Sequence, residues 1–227
     1  YLFDSVRFWV DNFDIDGIRL DCANVLDFGF MKELREKTSA MKPDFWLMGE
    51  VIHGEYSRWV NPEMLHSVTN YELHKALYSG HNDHNYFEIA HNVRRLEAVG
   101  KSLYTFVDNH DEDRIASKLN HLANLFPVYQ LLFTLPGIPS IYYGSEWGIE
   151  GKRSRTSDEV LRPALTLSGM AGKAPELISH IAALGKIHAE HDAFHSGSYK
   201  ELLLTNRQYA FSRSGEHGTL ISAVNND

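Results

Sequence analysis

The stretch Gly17–Asn24 reads GIRLDCAN, and its alternation, within a strand expected over 15–21, is that of a β-strand. In an extended strand, residues two apart share a face. Arg19 and Asp21 therefore project together, while Ile18 and Leu20 face the other side. An arginine beside an aspartate keeps the carboxylate ionised and holds its geometry. On this motif alone, a structural ion pair and a nucleophilic carboxylate with its partner stand level.

Working outward, YLFDSVRFWVDNF (1–13) spaces Leu2, Val6, Trp9, Val10 and Phe13 as an amphipathic helix. A second helix is expected over 28–41 and is ended by Pro43; FWLMGEV (45–51) then reads as a strand buried on both faces. A short helix near 62–65 and a weaker strand, HSVTNYE (66–72), follow. HNDHNY (81–86) reads as a polar loop; its His81, Asp83 and His84 lack the i, i+4 pairing of a helical metal site. A helix over 88–99 is closed by Gly100 and leads to a strand, SLYTFVD (102–108). A helical pattern over 115–135 breaks or restarts at Pro127, a strand follows at 139–144, and a helix at 174–190.

Strands alternating with helices are the pattern of βα units on a parallel sheet, so the fold class is α/β. From Ser196 onward the chain alternates between Gly-rich turns without helical periodicity, as an antiparallel β segment does. The expected division is 1–195 for the α/β part and 196–227 for the β segment.

Composition narrows the function. A formal charge of −8 argues against nucleic acid and anionic membranes as partners. A single cysteine, Cys22, leaves no internal disulfide framework and no multi-cysteine zinc site. No apolar run approaches the roughly 20 residues that span a bilayer. The chain opens at Tyr1 as though mid-domain, without a visible signal peptide, which leaves cytoplasmic and secreted settings both open.

Parallel α/β sheets collect their chemistry at the C-terminal ends of the strands. Asp21, Glu50 and Asp111 each fall at or just past such an end. Paired carboxyl groups, one ionised and one protonated, suit glycoside hydrolysis. Arg19 favours an ionised Asp21, and the apolar residues before Glu50 favour a proton donor there. His110 and Asp111 are the candidates for holding sugar hydroxyls.

GIRLDCAN, GEVIH and FVDNHD, in that order, resemble the motifs of the α-amylase superfamily, glycoside hydrolase family 13. The resemblance implies a (β/α)₈ TIM barrel. Asp21 on its fourth strand would be the nucleophile with Arg19 as partner, Glu50 on the fifth the general acid/base, and Asp111 on the seventh, with His110, the stabiliser at the cleavage subsite. GIPSIYYGSEWG resembles the eighth strand, and LRPAL (161–165) a recurring Arg-x-Pro segment. Asn24 and His53 follow the motifs where the family often contacts the leaving-group side. Tyr143, Trp147 and Tyr71 are weaker stacking candidates, Glu146 reads as structural, and Cys22 as a small apolar packer.

The resemblance further implies a retaining double displacement on α-1,4 or α-1,6 glucosidic bonds of an α-glucan or maltooligosaccharide, with no cofactor in the chemistry. Transglycosylation by the same acids, or an inert sugar-binding or scaffolding piece, are the alternatives. Only barrel strands four to eight and the beginning of the C-terminal β domain are expected in this chain. The third-strand motif, and the loop domain that often holds structural calcium, belong elsewhere in the parent. Unpaired edge strands make self-association expected.

Overall fold

Apolar spacing over the first thirteen positions folds as α1 (Leu2–Phe13) in the computed structural model, which describes all 227 residues. Asp14 takes the left-handed conformation and caps the helix, its N–H donating to Val10 O. β1 (Gly17–Leu20) follows, then α2 (Phe28–Met41), whose first turn is capped by the Asp27 carboxylate accepting from Phe30 N at 2.8 Å. β2 (Trp46–Gly49), β3 (Ser67–Val68), α3 (Tyr71–Asn82), α4 (Tyr86–Arg95) and β4 (Tyr104–Thr105) come next. Beyond them lie α5 (Ile115–Lys118), α6 (Leu125–Thr134), β5 (Ile138–Pro139), α7 (Leu167–Met170), α8 (Pro175–Glu190) and α9 (Asp192–His195). The chain ends in β6 (Ser198–Leu204), β7 (Gln208–Gly215) and β8 (Gly218–Asn225).

Two compact units result. The first comprises Tyr1–Tyr71 with Ser102–Tyr104, the second Glu72–Lys101 with Thr105–Asp227. In the first, β1, β2 and β3 form a parallel sheet in that order, in register from Gly17 opposite Trp46 to Leu20 opposite Gly49. Thr69 extends it through a parallel bridge to Tyr104, and Asn70 N donates to Tyr104 O at 2.8 Å. Leu47, Met48 and Val68 are buried with Met31 and Leu34 of α2. A parallel strand covered on both faces has to be apolar throughout, as β2 is.

The second unit is built on α6, whose buried Val128, Tyr129, Leu131 and Leu132 share one core with Leu177, Ile181 and Leu184 of α8 and Leu73 and Leu77 of α3. Pro127 sits in the first turn of α6, where its missing N–H costs nothing. β6, β7 and β8 form an antiparallel meander with a bulge between Glu201 and Leu203. Tyr209 and Phe211 carry β7 into the same core. Buried Arg213 on β7 ties the meander to its neighbours, donating to Thr134 O at 2.9 Å and Phe194 O at 3.1 Å.

Several expectations need correction. The strands are shorter than their apolar runs: β4 has two residues where 102–108 was expected, and β5 has two where 139–144 was expected. Residues 81–86 are not simply a loop. α3 runs through His81 to Asn82, and His81 is fully buried with Nδ1 2.6 Å from Leu77 O and Nε2 3.1 Å from Tyr86 Oη. Both ring nitrogens are thus engaged in the core. The compact units meet at Tyr71/Glu72, and the meander contributes Tyr209, Phe211 and Val224 to the core of the second unit. No helix is long and apolar enough to cross a membrane.

Candidate functional site

β1 ends at Leu20, so Asp21 lies in the turn just beyond the strand instead of on it, its side chain 79% exposed. The next residue, Cys22, adopts the left-handed conformation (φ 44°), which turns the chain back over the sheet. Cys22 N then donates to Glu50 Oε2 at 3.3 Å, and Ala23 N to Glu50 O at 2.8 Å. Glu50 itself follows Gly49, the last residue of β2, and is buried. Gly49 has to be glycine: a Cβ there would lie 2.6 Å from Leu65 Cδ1 and 2.7 Å from Ala23 Cβ.

Arg19 serves both acids. Its Nη1 is 3.4 Å from Asp21 Oδ1 and its Nη2 3.3 Å from Glu50 Oε2. The fork of the guanidinium thus bridges an exposed carboxyl and a buried one, where the sequence had assigned it to Asp21 alone. Tyr71 donates to the other oxygen, Glu50 Oε1, at 3.2 Å. Donor atoms of Asp21, Cys22 and Glu50 lie within 4.8 Å of one another. Arg19 already supplies the cation among them, so the set is poorly suited to a metal.

Cys22 is exposed, so the expected packing role is overturned. The negative field of Asp21 pushes its thiol pKa up, with smaller contributions from burial and Glu50. A thiol kept protonated in this way is a poor nucleophile. Asn24 lies exposed in the short turn Ala23–Val25, and His53 is exposed in the loop after Glu50.

In the second unit, Asp111 sits in the loop between β4 and α5. Its Oδ1 is 2.9 Å from Arg162 Nη2 and its Oδ2 3.1 Å from His110 Nε2. Arg162 also meets Asp158 at 2.8 Å and donates through Nε to His110 O at 3.1 Å. Asn109 shapes the loop, its Oδ1 accepting from the N–H groups of both Asp111 and Glu112 at 2.9 Å. Exposed Tyr143 donates through its hydroxyl to Pro163 O at 3.0 Å.

Sequence reasoning passed over the buried support of this loop. Asp108 is inaccessible, accepting from Ile115 N at 2.9 Å and from Ser145 Oγ at 2.7 and 2.9 Å. Burial raises its pKa, against the pull of those hydrogen bonds and of Arg114. Arg114 is fully buried and donates to Tyr143 O at 2.6 Å, Ser145 Oγ at 3.0 Å and Leu161 O at 2.7 Å. The only signal in the sequence was the density of charge in DNHDEDR, which does not say which acids turn inward.

The model of the α-amylase catalytic domain matches residues 1–174, and the chain belongs to that family. It is 28% identical to a cyclomaltodextrinase from Thermoanaerobacter pseudethanolicus, over all of this chain and 40% of that protein. A cyclomaltodextrinase from Geobacillus thermopakistaniensis is 32% identical over 66% of this chain and 27% of its own length. The solved α-amylase from Anoxybacillus superposes with a TM-score of 0.88 at 26% identity, over 100% of this chain and 51% of that one. The chain thus spans about two fifths of the first of these relatives. The solved neighbours are TIM-barrel enzymes of the α-amylase family, of which the chain covers about half.

Proposed function

We propose that this chain carries the reacting carboxyl groups of a retaining glycosidase acting on α-1,4 or α-1,6 bonds of an α-glucan or maltooligosaccharide. The observation that carries the reading is the approach of Asp21 and Glu50 to within 4.8 Å under a shared arginine. Retention needs the two carboxyl groups about 5–5.5 Å apart, whereas inversion needs about 6.5–9.5 Å to admit a water.

In the first step the Asp21 carboxylate attacks the anomeric carbon. The glycosidic C–O bond breaks, and Glu50 gives its proton to the departing oxygen. In the second, Glu50 takes a proton from the incoming hydroxyl, whose oxygen displaces Asp21 and restores both groups. Exposure suits Asp21 to direct attack, while the buried Glu50, held by Arg19, Cys22 N and Tyr71, keeps its position through both steps. Following the resemblance, His110 and Asp111 are assigned to sugar hydroxyls, Asn24 and His53 to the leaving-group side, and Tyr143 to stacking on a sugar. The steps use only these side chains and no cofactor.

Names among the relatives support the substrate class: a maltogenic α-amylase from Bacillus acidopullulyticus and a neopullulanase from Thermoactinomyces vulgaris. A cyclomaltodextrin glucanotransferase from a Bacillus strain favours keeping a sugar acceptor as the second reading. Residues 1–195 are assigned to strands four to eight of the barrel, and 196–227 to the start of the following β domain. The test is turnover of maltooligosaccharides and an α-1,6-linked substrate by the protein and by Asp21→Asn. Loss of roughly 10³-fold or more in kcat is expected from the substitution. Undiminished turnover would remove Asp21 as nucleophile.

A further inference from the structure

Glu112 directly follows Asp111, yet nothing in the two-step reaction uses it. Its Oε2 lies 2.6 Å from Lys118 Nζ and 3.6 Å from His74 Nε2. Lys118 Nζ is also 3.2 Å from His74 Nε2 and 4.6 Å from the centre of the Tyr78 ring. His74 is buried on α3, its ring stacked on Phe106 at 5.0 Å and 16°. Burial lowers the pKa of His74, and its Nε2 faces both the ammonium of Lys118 and the carboxylate of Glu112. The ammonium of Lys118 is therefore seated between a carboxylate, an imidazole nitrogen and an aromatic face, at the end of α5.

The loop Asn109–Arg114 is held at its base by Asp108, whose Oδ2 accepts from Ile115 N. Within it, Asn109 Oδ1 gathers the amides of Asp111 and Glu112. Further along, Arg153 N donates to Asp113 Oδ1 at 2.6 Å and Arg114 N to Gly151 O at 2.9 Å. Asp111 is tied to Arg162 and His110, groups of the same exposed surface that a polar ligand would compete for. Glu112 reaches inward from the loop, to Lys118 on α5 and towards buried His74 on α3.

We propose that Glu112, anchored through Lys118 to His74, is a positioning residue that fixes the loop presenting Asp111. The proposal rests on the glycosidase reading for its catalytic consequence and on geometry alone for the anchor. Misplacement of a reacting group by about 1 Å costs on the order of 10²-fold in rate, so an anchor one residue away acts on turnover without touching substrate.

Two variants remove the anchor from opposite sides, Glu112→Ala and Lys118→Met, so that misfolding of one leaves the other. Amide hydrogen exchange by NMR is read at Asp111 and Glu112, with the amides of α6 as the internal reference. Exchange at the two loop amides is expected to rise about tenfold or more in both variants, with α6 unchanged within twofold. In the same variants kcat is expected to fall roughly 10- to 100-fold while KM stays within threefold, and Glu112→Asp to recover part of the loss. A merely structural ion pair would lower the melting temperature without this split. Loop amides that exchange as in the wild type would overturn the proposal, and so would an unchanged kcat beside an active parent. Absence of turnover in the wild type strikes the glycosidase reading instead, and the exchange measurement still decides the anchor.

Discussion

At the scale of single residues, the chain spends its arginines on holding acids and carbonyls in place. Arg19 spans two carboxyl groups at nearly equal distance, and Arg162 spans Asp111 and Asp158. Arg114 differs in being wholly inside: its guanidinium serves two carbonyls and a serine, and stacks 4.2 Å from the Tyr142 ring. Removing it would leave the carbonyls of Tyr143 and Leu161 unmatched and Asp108 with less positive charge nearby. Arg114→Met is therefore expected to cost about 3–5 kcal/mol of stability, read as a lower urea midpoint. A cost under about 1 kcal/mol would mean that water or a shifted side chain takes over its donors. Arg162→Met, on the exposed surface, is expected to cost no more than about 1 kcal/mol by the same measurement.

At the scale of elements, the parallel strands are short and the turns after them hold the chemistry. β2 delivers Glu50 because Gly49 lets Ala23 and Leu65 close over the backbone. Gly49→Ala puts a methyl where there is no room. It is expected to cost about 1–3 kcal/mol, and to lower turnover further by moving Glu50 against Arg19. A variant as stable and active as its parent would show that the sheet yields at this point. The helices were legible where apolar periodicity is clean: 1–13, 28–41 and 174–190 were expected, and Leu2–Phe13, Phe28–Met41 and Pro175–Glu190 are observed. α3 was not legible, because its inner face includes His74, Gly80 and His81, residues that read as polar or breaking until a core is there to receive them.

At the scale of the molecule, acid should be the chain's weakness. Burial holds His81 down to about 4 from an ordinary 6.5. The unfolded chain therefore takes up that proton first, and stability falls as pH drops from 6.5 towards 4, at about 1.4 kcal/mol per unit. Glu112 is held down to about 2 from 4.5, chiefly by His74 and then Lys118 against burial. Its contribution is present above 4.5 and is lost below, as pH falls towards 2. Calorimetry between pH 7 and 4.5 is expected to show a falling melting temperature, with a flatter slope in His81→Gln. An equal slope in that variant would assign the loss to other groups. β1 pairs on one side with β2, and α1 beside it in sequence exposes Leu2, Phe8, Trp9 and Phe13. Association of this chain at concentration is the expected outcome in sedimentation velocity; a monomer across the range would count against it.

With the exception of Asp111, which stands out in the loop beyond β4, the order of motifs by itself determined the family, the alternation of strands and helices, and which acids stand at strand ends. These are local properties: a strand's period, a helix's period and a few residues of motif are all contained in short stretches. What only the tertiary structure decided is how those acids are held. That Arg19 is shared with Glu50, that Cys22 turns in a left-handed conformation to offer its N–H, and that Arg114 reaches Leu161 and Lys118 reaches His74 all join residues 28 to 47 positions apart. GIRLDCAN thus named a carboxylate and its arginine. The second strand, folding alongside, made that arginine the bridge between two.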